Sequence, residues 1–196
     1  MGQVCRIPKE RRQRDVSRAA SRLAILEAAR RVATRDGARD MSLRGVAAEA
    51  GFAPAALYGY FSSKDDLLLA LAADDLTSLA RAMRGAGGPV GGLAGAGAAA
   101  LDLLRGAETM AAASAALPGA GGGDAERLFN GRLIAVLKAL SDASGMPSHS
   151  RESQCDVVLV GASLAGLALL ARSGRLEALG FSSDEMIARL DARFGA

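Results

Sequence analysis

A chain of 196 residues, half of them apolar, is long enough to bury a sizeable core and too apolar to stay disordered. Only 4% of its residues are aromatic and Trp is absent, so that core must be built from Ala, Leu and Val, and 24 Gly against five Pro fit helices interrupted by joints. The net charge is a modest +3, and Cys5 and Cys155 stand in no ligand or pairing pattern, which excludes a disulfide scaffold and a zinc site.

The charge is unevenly placed. Residues 1–22 carry Arg6, Lys9, Arg11, Arg12, Arg14, Arg18 and Arg22 against only Glu10 and Asp15. Such a segment suits a polyanionic partner, and residues 1–19 read as a disordered basic arm. No stretch near the start has the apolar core of a signal peptide, so the expected location is the cytoplasm. The first helix is expected to begin near Ser17 or Ser21 and to end at Gly37, with Leu23, Ile25, Leu26, Ala29, Val32 and Ala33 as its apolar stripe. Ser42 is placed to cap a second short helix over residues 43–50, which stops at Gly51. A turn of Gly51, Phe52, Ala53 and Pro54 leads into a third helix ending in Tyr58-Gly59-Tyr60-Phe61. Two short helices joined by a tight glycine turn form a helix-turn-helix over residues 42–61, whose second helix is shaped for a DNA major groove.

Ser63 can cap a longer helix running from Lys64 to about Arg84, with Leu67, Leu68, Leu71, Leu79 and Met83 on one face. Residues 85–100, rich in Gly and Ala, read as a hinge between a DNA-binding module of residues 20–80 and a larger helical unit of residues 85–196. Helical signal returns at residues 101–104 and 110–117, and residues 119–123 form a second joint. An amphipathic helix over residues 124–144 uses Leu128, Ile134, Leu137 and Leu140. After a loop at 147–150 comes an apolar helix over 152–173, and Ser182 with Glu185 makes a capping box for a last helix ending at Phe194. The expectation is an all-α chain of about nine helices with no strand. The apolar run 157–171 is shorter than the roughly 18 residues of a spanning helix, so no membrane partner is expected. It is apolar on every face and must be covered on every face. Small surfaces at Gly161, Ala162, Ala165 and Gly166 allow close helix approach, and a homodimer seam made by helices 152–173 and 183–194 is favoured over a monomeric core.

The first seventy residues resemble the DNA-binding domain of the TetR family of bacterial transcription regulators. The resemblance is carried by Ile25-Leu26-Glu27-Ala28-Ala29, by Gly37, by Ser42-Leu43-Arg44-Gly45-Val46-Ala47, by Ala50-Gly51, by Leu57-Tyr58-Gly59-Tyr60-Phe61 and by Ser63-Lys64-Asp65-Asp66-Leu67. It implies that Ser42 and Arg44 lie near the DNA backbone, that Pro54, Ala55 and Ala56 face base edges, that Tyr58 and Tyr60 reach phosphates or bases, and that Lys64 meets a phosphate. Helix N-termini, Lys and Tyr hydroxyls suit those roles. The sequence departs from the family pattern at Ala33, Ala53, Ala56 and Gly59, where a Phe, a Ser, a Thr or Ser and a larger residue are common. Few side chains remain for bidentate base contacts. Specificity then leans on thymine-methyl contact from Ala55 or Ala56, on DNA shape, or on the basic segment.

The same resemblance implies a C-terminal unit that binds a small-molecule effector and dimerises, and a repressor released from a palindromic operator on double-stranded DNA. Met110, Phe129 and Met146 are weak candidates for a ligand wall, with core packing the stronger reading for each. No cofactor or metal is implied. The alternative function is a helical ligand- or partner-binding protein whose DNA-reading head has lost its operator. Enzyme patterns are set aside: residues 95–100 fit the loose dinucleotide pattern without a preceding strand, and residues 157–165 fit a nucleophile elbow at Ser163 with no His after it. The single His149 reads as a surface residue, and Cys155 as a structural thiol.

Overall fold

The computed structural model describes residues 9–88, 90–106, 124–145 and 150–195. Among these are nine helices and no strand: α1 (Lys9–Asp36), α2 (Leu43–Ala50), α3 (Pro54–Leu57), α4 (Lys64–Ala86), α5 (Gly92–Arg105), α6 (Asp124–Ser144), α7 (Arg151–Arg172), α8 (Arg175–Ala178) and α9 (Ser183–Phe194). The helix expected at 110–117, the joint at 119–123, Met110, Met146 and His149 lie outside the described residues.

Helix α1 starts well before Ser17. Residues 9–14 are Lys, Glu, Arg and Gln, all strong helix formers, so the basic segment is helical from residue 9 instead of a disordered arm. Residues 13–20 are exposed, whereas Ile25, Leu26, Ala28, Ala29, Val32 and Ala33 are buried further along. Leu23, expected in that stripe, is exposed. The helix stops at Gly37, whose φ of 87° is a left-handed conformation that costs glycine no Cβ clash, and whose N–H donates to the Ala33 carbonyl at 2.9 Å. Ser42 caps α2, its Oγ accepting the Gly45 N–H at 3.1 Å. Helices α1 to α3 and the first turns of α4 close around Val46, Ala47, Leu57, Phe61, Leu67 and Leu71, which form the core of a small head.

Helix α4 begins at the Ser63 cap, where Oγ accepts the Asp66 N–H at 3.0 Å, and Asp65 and Asp66 sit favourably at its N-terminus. It belongs to two cores. Leu67, Leu68, Ala70 and Leu71 pack in the head, while Leu69, Ala72, Leu76, Leu79 and Met83 pack in a second core with α5, α6 and α7. The two cores therefore meet inside α4 and not at residues 85–100. The expected hinge is largely helix: Gly92–Arg105 is α5. Its glycines serve close approach, since a Cβ at Gly95 would lie 2.4 Å from the Ala86 carbonyl oxygen and one at Gly91 only 1.8 Å from it.

Helix α6 buries Phe129, Val136, Ala139 and Leu140, while Leu128 and Ile134, expected on its apolar face, are exposed. The buried face is turned by one residue, about 100°, from the expected stripe. Helix α7 has 22 residues and is long and apolar enough, by length and composition, to cross a membrane, which the 15-residue apolar run did not suggest. It instead packs one side into the core through Val157, Val160, Leu164, Leu167 and Ala168. Val158, Leu159 and Leu169 are exposed, so among the described residues this helix is covered on one face only. The one-turn α8 was not expected. At α9, the Ser182–Glu185 capping box is formed in both directions, and Ile187 packs with Leu101, Leu167 and Leu176. Both enzyme-like patterns fall in helix interiors, residues 95–100 in α5 and Ser163 in α7.

Candidate nucleic-acid interface

The helix-turn-helix forms as a short, exposed edge of the head. Gly51, with φ of 71°, ends α2 by donating to the Ala47 and Ala48 carbonyls, and the Phe52 N–H also returns to Ala47 at 2.9 Å. Pro54 then opens α3, where its missing N–H and fixed φ cost nothing. The α-helix lasts one turn, to Leu57, and is shorter than expected. Beyond it the chain continues in three-residue hydrogen-bonded turns, Gly59 N–H to Ala56 and Tyr60 N–H to Leu57, at 3.1 and 2.9 Å. Leu57 and Phe61 anchor this segment to the core, and Pro54, Ala55, Ala56 and Tyr58 are left facing outward.

Ser42 and Arg44 are exposed at the start of α2, with the Ser42 side chain engaged in its cap. Tyr60 is half-buried, edge-on to Phe52 with ring centroids 6.2 Å apart. Lys64 is also half-buried, and its ammonium donates to the Arg39 carbonyl, tying α4 to the loop before α2. Of the eight residues singled out, six are exposed on this edge, while Tyr60 and Lys64 already have protein partners.

Sequence reasoning missed Arg18 and Arg22 as parts of this edge. The Arg18 guanidinium donates to the Gly59 carbonyl at 2.8 Å and lies 5.3 Å from the centre of the Tyr60 ring. Arg22 lies 5.0 Å from the Phe61 ring centre. Cation–π contact and the hydrogen bond fasten the end of the recognition segment to α1. The signal was present: Arg14, Arg18 and Arg22 are four residues apart and share a face once the helix is carried back to residue 9.

Two ion-pair groups hold the head. Glu49 of α2 accepts from Arg31 at 2.8 Å and Arg35 at 3.2 Å, and Arg35 also holds Asp36 at 2.8 Å. Hydrogen bonding from Arg31 and then Arg35 sets the Glu49 carboxyl below its usual range, and Arg35 does the same to Asp36. Across the joint, Arg30 of α1 reaches both Asp74 and Asp75 of α4 at 2.7 Å. Burial would lower the Arg30 pKa, but hydrogen bonds to Asp74 and Asp75 outweigh it and leave it raised.

In the second core, a cavity lies between α4, α5, α6 and α7. Phe129 is buried in the core and does not line it.

Residues 25–71 match the family model described as bacterial regulatory proteins, tetR family. The HTH-type transcriptional regulator Rv1816 of Mycobacterium tuberculosis is 39% identical over 80 residues, which make up 41% of this chain and 32% of that protein. The match thus spans about a third of the length of the curated relatives. Over most of the chain the fold is similar to solved structures. SCO4313, a candidate regulatory protein, aligns with a TM-score of 0.66 at 21% identity, covering 96% of this chain and 98% of that one. A TetR family transcription regulator from Marinobacter aquaeolei VT8 aligns with a TM-score of 0.57 at 19% identity, covering 92% and 95%. At such identities the likeness concerns the fold, whereas the N-terminal match is one of sequence. Residues 25–71, which hold the helix-turn-helix, are thus similar in sequence to the TetR family of bacterial regulatory proteins.

Proposed function

We propose that the protein is a cytoplasmic, homodimeric transcription regulator that represses from a palindromic operator and is released by a small-molecule effector. The observation that carries this reading is the outward edge of Pro54, Ala55, Ala56 and Tyr58, held rigidly over Leu57 and Phe61 and flanked by the arginine face of α1. In this reading α3 enters the major groove, with Ala55 and Ala56 against base edges and thymine methyls. Ser42, Arg44, Tyr58 and Tyr60 position the head on the backbone, and Lys64 adds a phosphate contact by exchanging its Arg39 carbonyl for DNA. Arg14 and Arg18 extend the contact along the duplex.

The uncovered face of α7 supports the dimer. Val158, Leu159 and Leu169 form an apolar surface that a second copy would cover, with α9 beside it. Effector release then requires a ligand that prefers the state in which the two heads do not fit the operator. Helix α4 suits this coupling, since it carries side chains of both cores.

Selection of bound duplexes from a random DNA pool by the full-length protein tests the reading. A two-fold symmetric site supports it. Recovery of unpatterned, salt-labile DNA alone would overturn sequence-specific regulation in favour of a helical binding protein with a vestigial head.

A further inference from the structure

The cavity of about 290 Å³ between α4, α5, α6 and α7 has a uniform chemistry. Its floor consists of Leu76 and Met83 of α4, Ala100 of α5, Leu140 of α6 and Leu164 of α7, all at most 2% exposed. Every lining side chain among the described residues is apolar, and none can ionise or donate a strong hydrogen bond. The surrounding backbone is helical, with N–H and C=O groups paired within the helices and, at Met83 and Leu104 in the last turns of α4 and α5, with the capping N–H of Gly87 and Gly106. A charged group seated here would lose part of its hydration and meet no polar side chain among the described residues. Space is left at Gly161, where an added Cβ would make only ordinary contacts of 3.5 Å to Leu137 and Leu140.

Size narrows the class further. A dry apolar cavity of about 150 Å³ holds one benzene ring, so this one holds a molecule of about two rings. We propose that the effector is an uncharged, largely apolar small molecule of that bulk, seated in this cavity, an identification that rests on the effector-responsive regulator proposed above. A polar cleft beside the α4–α5 turn, lined in part by Arg84 and Asp142, is the contrasting site where a charged ligand would find partners.

The test compares two probes of one ring system, 2-methylnaphthalene and 2-naphthoate, titrated at pH 7 into the full-length protein. The chain has no Trp, so naphthalene emission can be followed with little protein background. The expected result is one neutral probe per chain, bound at least tenfold more tightly than the carboxylate. Gly161→Leu should remove that binding and Gly161→Ala should retain it. Val136→Phe fills the same cavity from α6, away from the outer face of α7, and serves if Gly161→Leu does not fold. No binding of either probe, equal binding of both, or binding unchanged in the filled variants would overturn the proposal. Titration of a selected operator duplex with and without probe separates the two levels. Neutral-selective binding that leaves operator affinity unchanged would defeat the effector role while upholding the cavity chemistry. Release of operator by the carboxylate alone would defeat the cavity chemistry while upholding regulation.

Discussion

Arg30 and Asp74 meet at 2.7 Å across the boundary between the two cores, with Asp75 held at the same distance by the same guanidinium nitrogen. Arg30 belongs to α1, whose buried side chains all lie in the head, while the two aspartates sit on α4 where that helix passes into the second core. The ion pair thus fixes the angle at which α4 leaves the head. Arg30→Ala should cost about 1 kcal/mol in denaturant unfolding, because both carboxylates are partly solvated and screening limits the gain. A double-mutant cycle with Asp74→Ala should show a coupling below the full single-mutant loss, since Asp75 remains as a partner. A zero coupling would remove this pair from the joint.

The Glu49 cluster predicts acid sensitivity. Glu49 and Asp36 both titrate below their usual values in the folded chain, chiefly through hydrogen bonds from Arg31 and Arg35. A carboxylate with a depressed folded pKa binds fewer protons than in the unfolded chain. Its stabilisation is therefore fully present above the unfolded value, 4.5 for Glu49 and 3.8 for Asp36, and is lost as pH falls through the folded one. Urea midpoints measured between pH 6 and pH 3 should fall at the acid end, and Glu49→Gln should flatten that fall. An unchanged slope in the variant would assign the acid limb to other carboxylates.

Glycine has opposite signs in two helices. Gly131 of α6 has open space around its missing Cβ, so Gly131→Ala should stabilise by about 0.5–1 kcal/mol through helix propensity. Gly95 of α5 faces the Ala86 carbonyl oxygen at 2.4 Å from its ideal Cβ, so Gly95→Ala should destabilise despite the same propensity gain. Thermal melts of the two variants should move in opposite directions. A stabilising Gly95→Ala would mean that the α4–α5 turn yields easily and is the hinge that its composition suggests.

That contrast shows what was legible in the sequence. The head is written in local signals: Gly37 and Gly51 adopt positive φ, and the Ser42, Ser63 and Ser182 caps all form as their spacing implies. Composition misled where packing decided. The run at 85–100 reads as flexible because glycine permits flexibility, yet its glycines there admit the neighbouring backbone of α4. The face of α6 was misread by one residue because Leu128 and Leu140 fit one stripe and Phe129 and Leu140 another, and only the partner helices choose between them. At the exposed edge of the helix-turn-helix, the contact of Arg18 with Gly59 and Tyr60 was not legible because residues 1–19 read as a disordered arm instead of a helix.

The proposed DNA contacts divide into two kinds that mutation can separate. Tyr58 is exposed, so Tyr58→Phe should weaken operator binding several-fold with no change in melting temperature. Lys64 and Arg18 hold backbone carbonyls at Arg39 and Gly59 in the free protein. Replacing either with Ala should lower the salt dependence of binding by about one charge and also loosen the recognition segment. Arg18→Lys should keep the charge while losing the planar guanidinium, and with it the combined grip on Gly59 and Tyr60. Binding by Arg18→Lys that matches the parent at all salt concentrations would reduce Arg18 to a phosphate contact alone.

The outer face of α7 can be tested by charge. Leu159 and Leu169 are each more than half exposed and lie outside the cavity lining, so charging them leaves the cavity intact. Leu159→Glu with Leu169→Glu should convert the proposed dimer to a monomer in sedimentation velocity, because burying two unpaired carboxylates at its seam is opposed by desolvation and by repulsion from their symmetry mates. The helices should survive, since neither side chain enters the core. Operator affinity should then collapse to that of a single head, because a palindrome is read by two heads held at fixed spacing. A variant that remains dimeric would move the seam to another face and leave the apolar surface of α7 to be covered by something else.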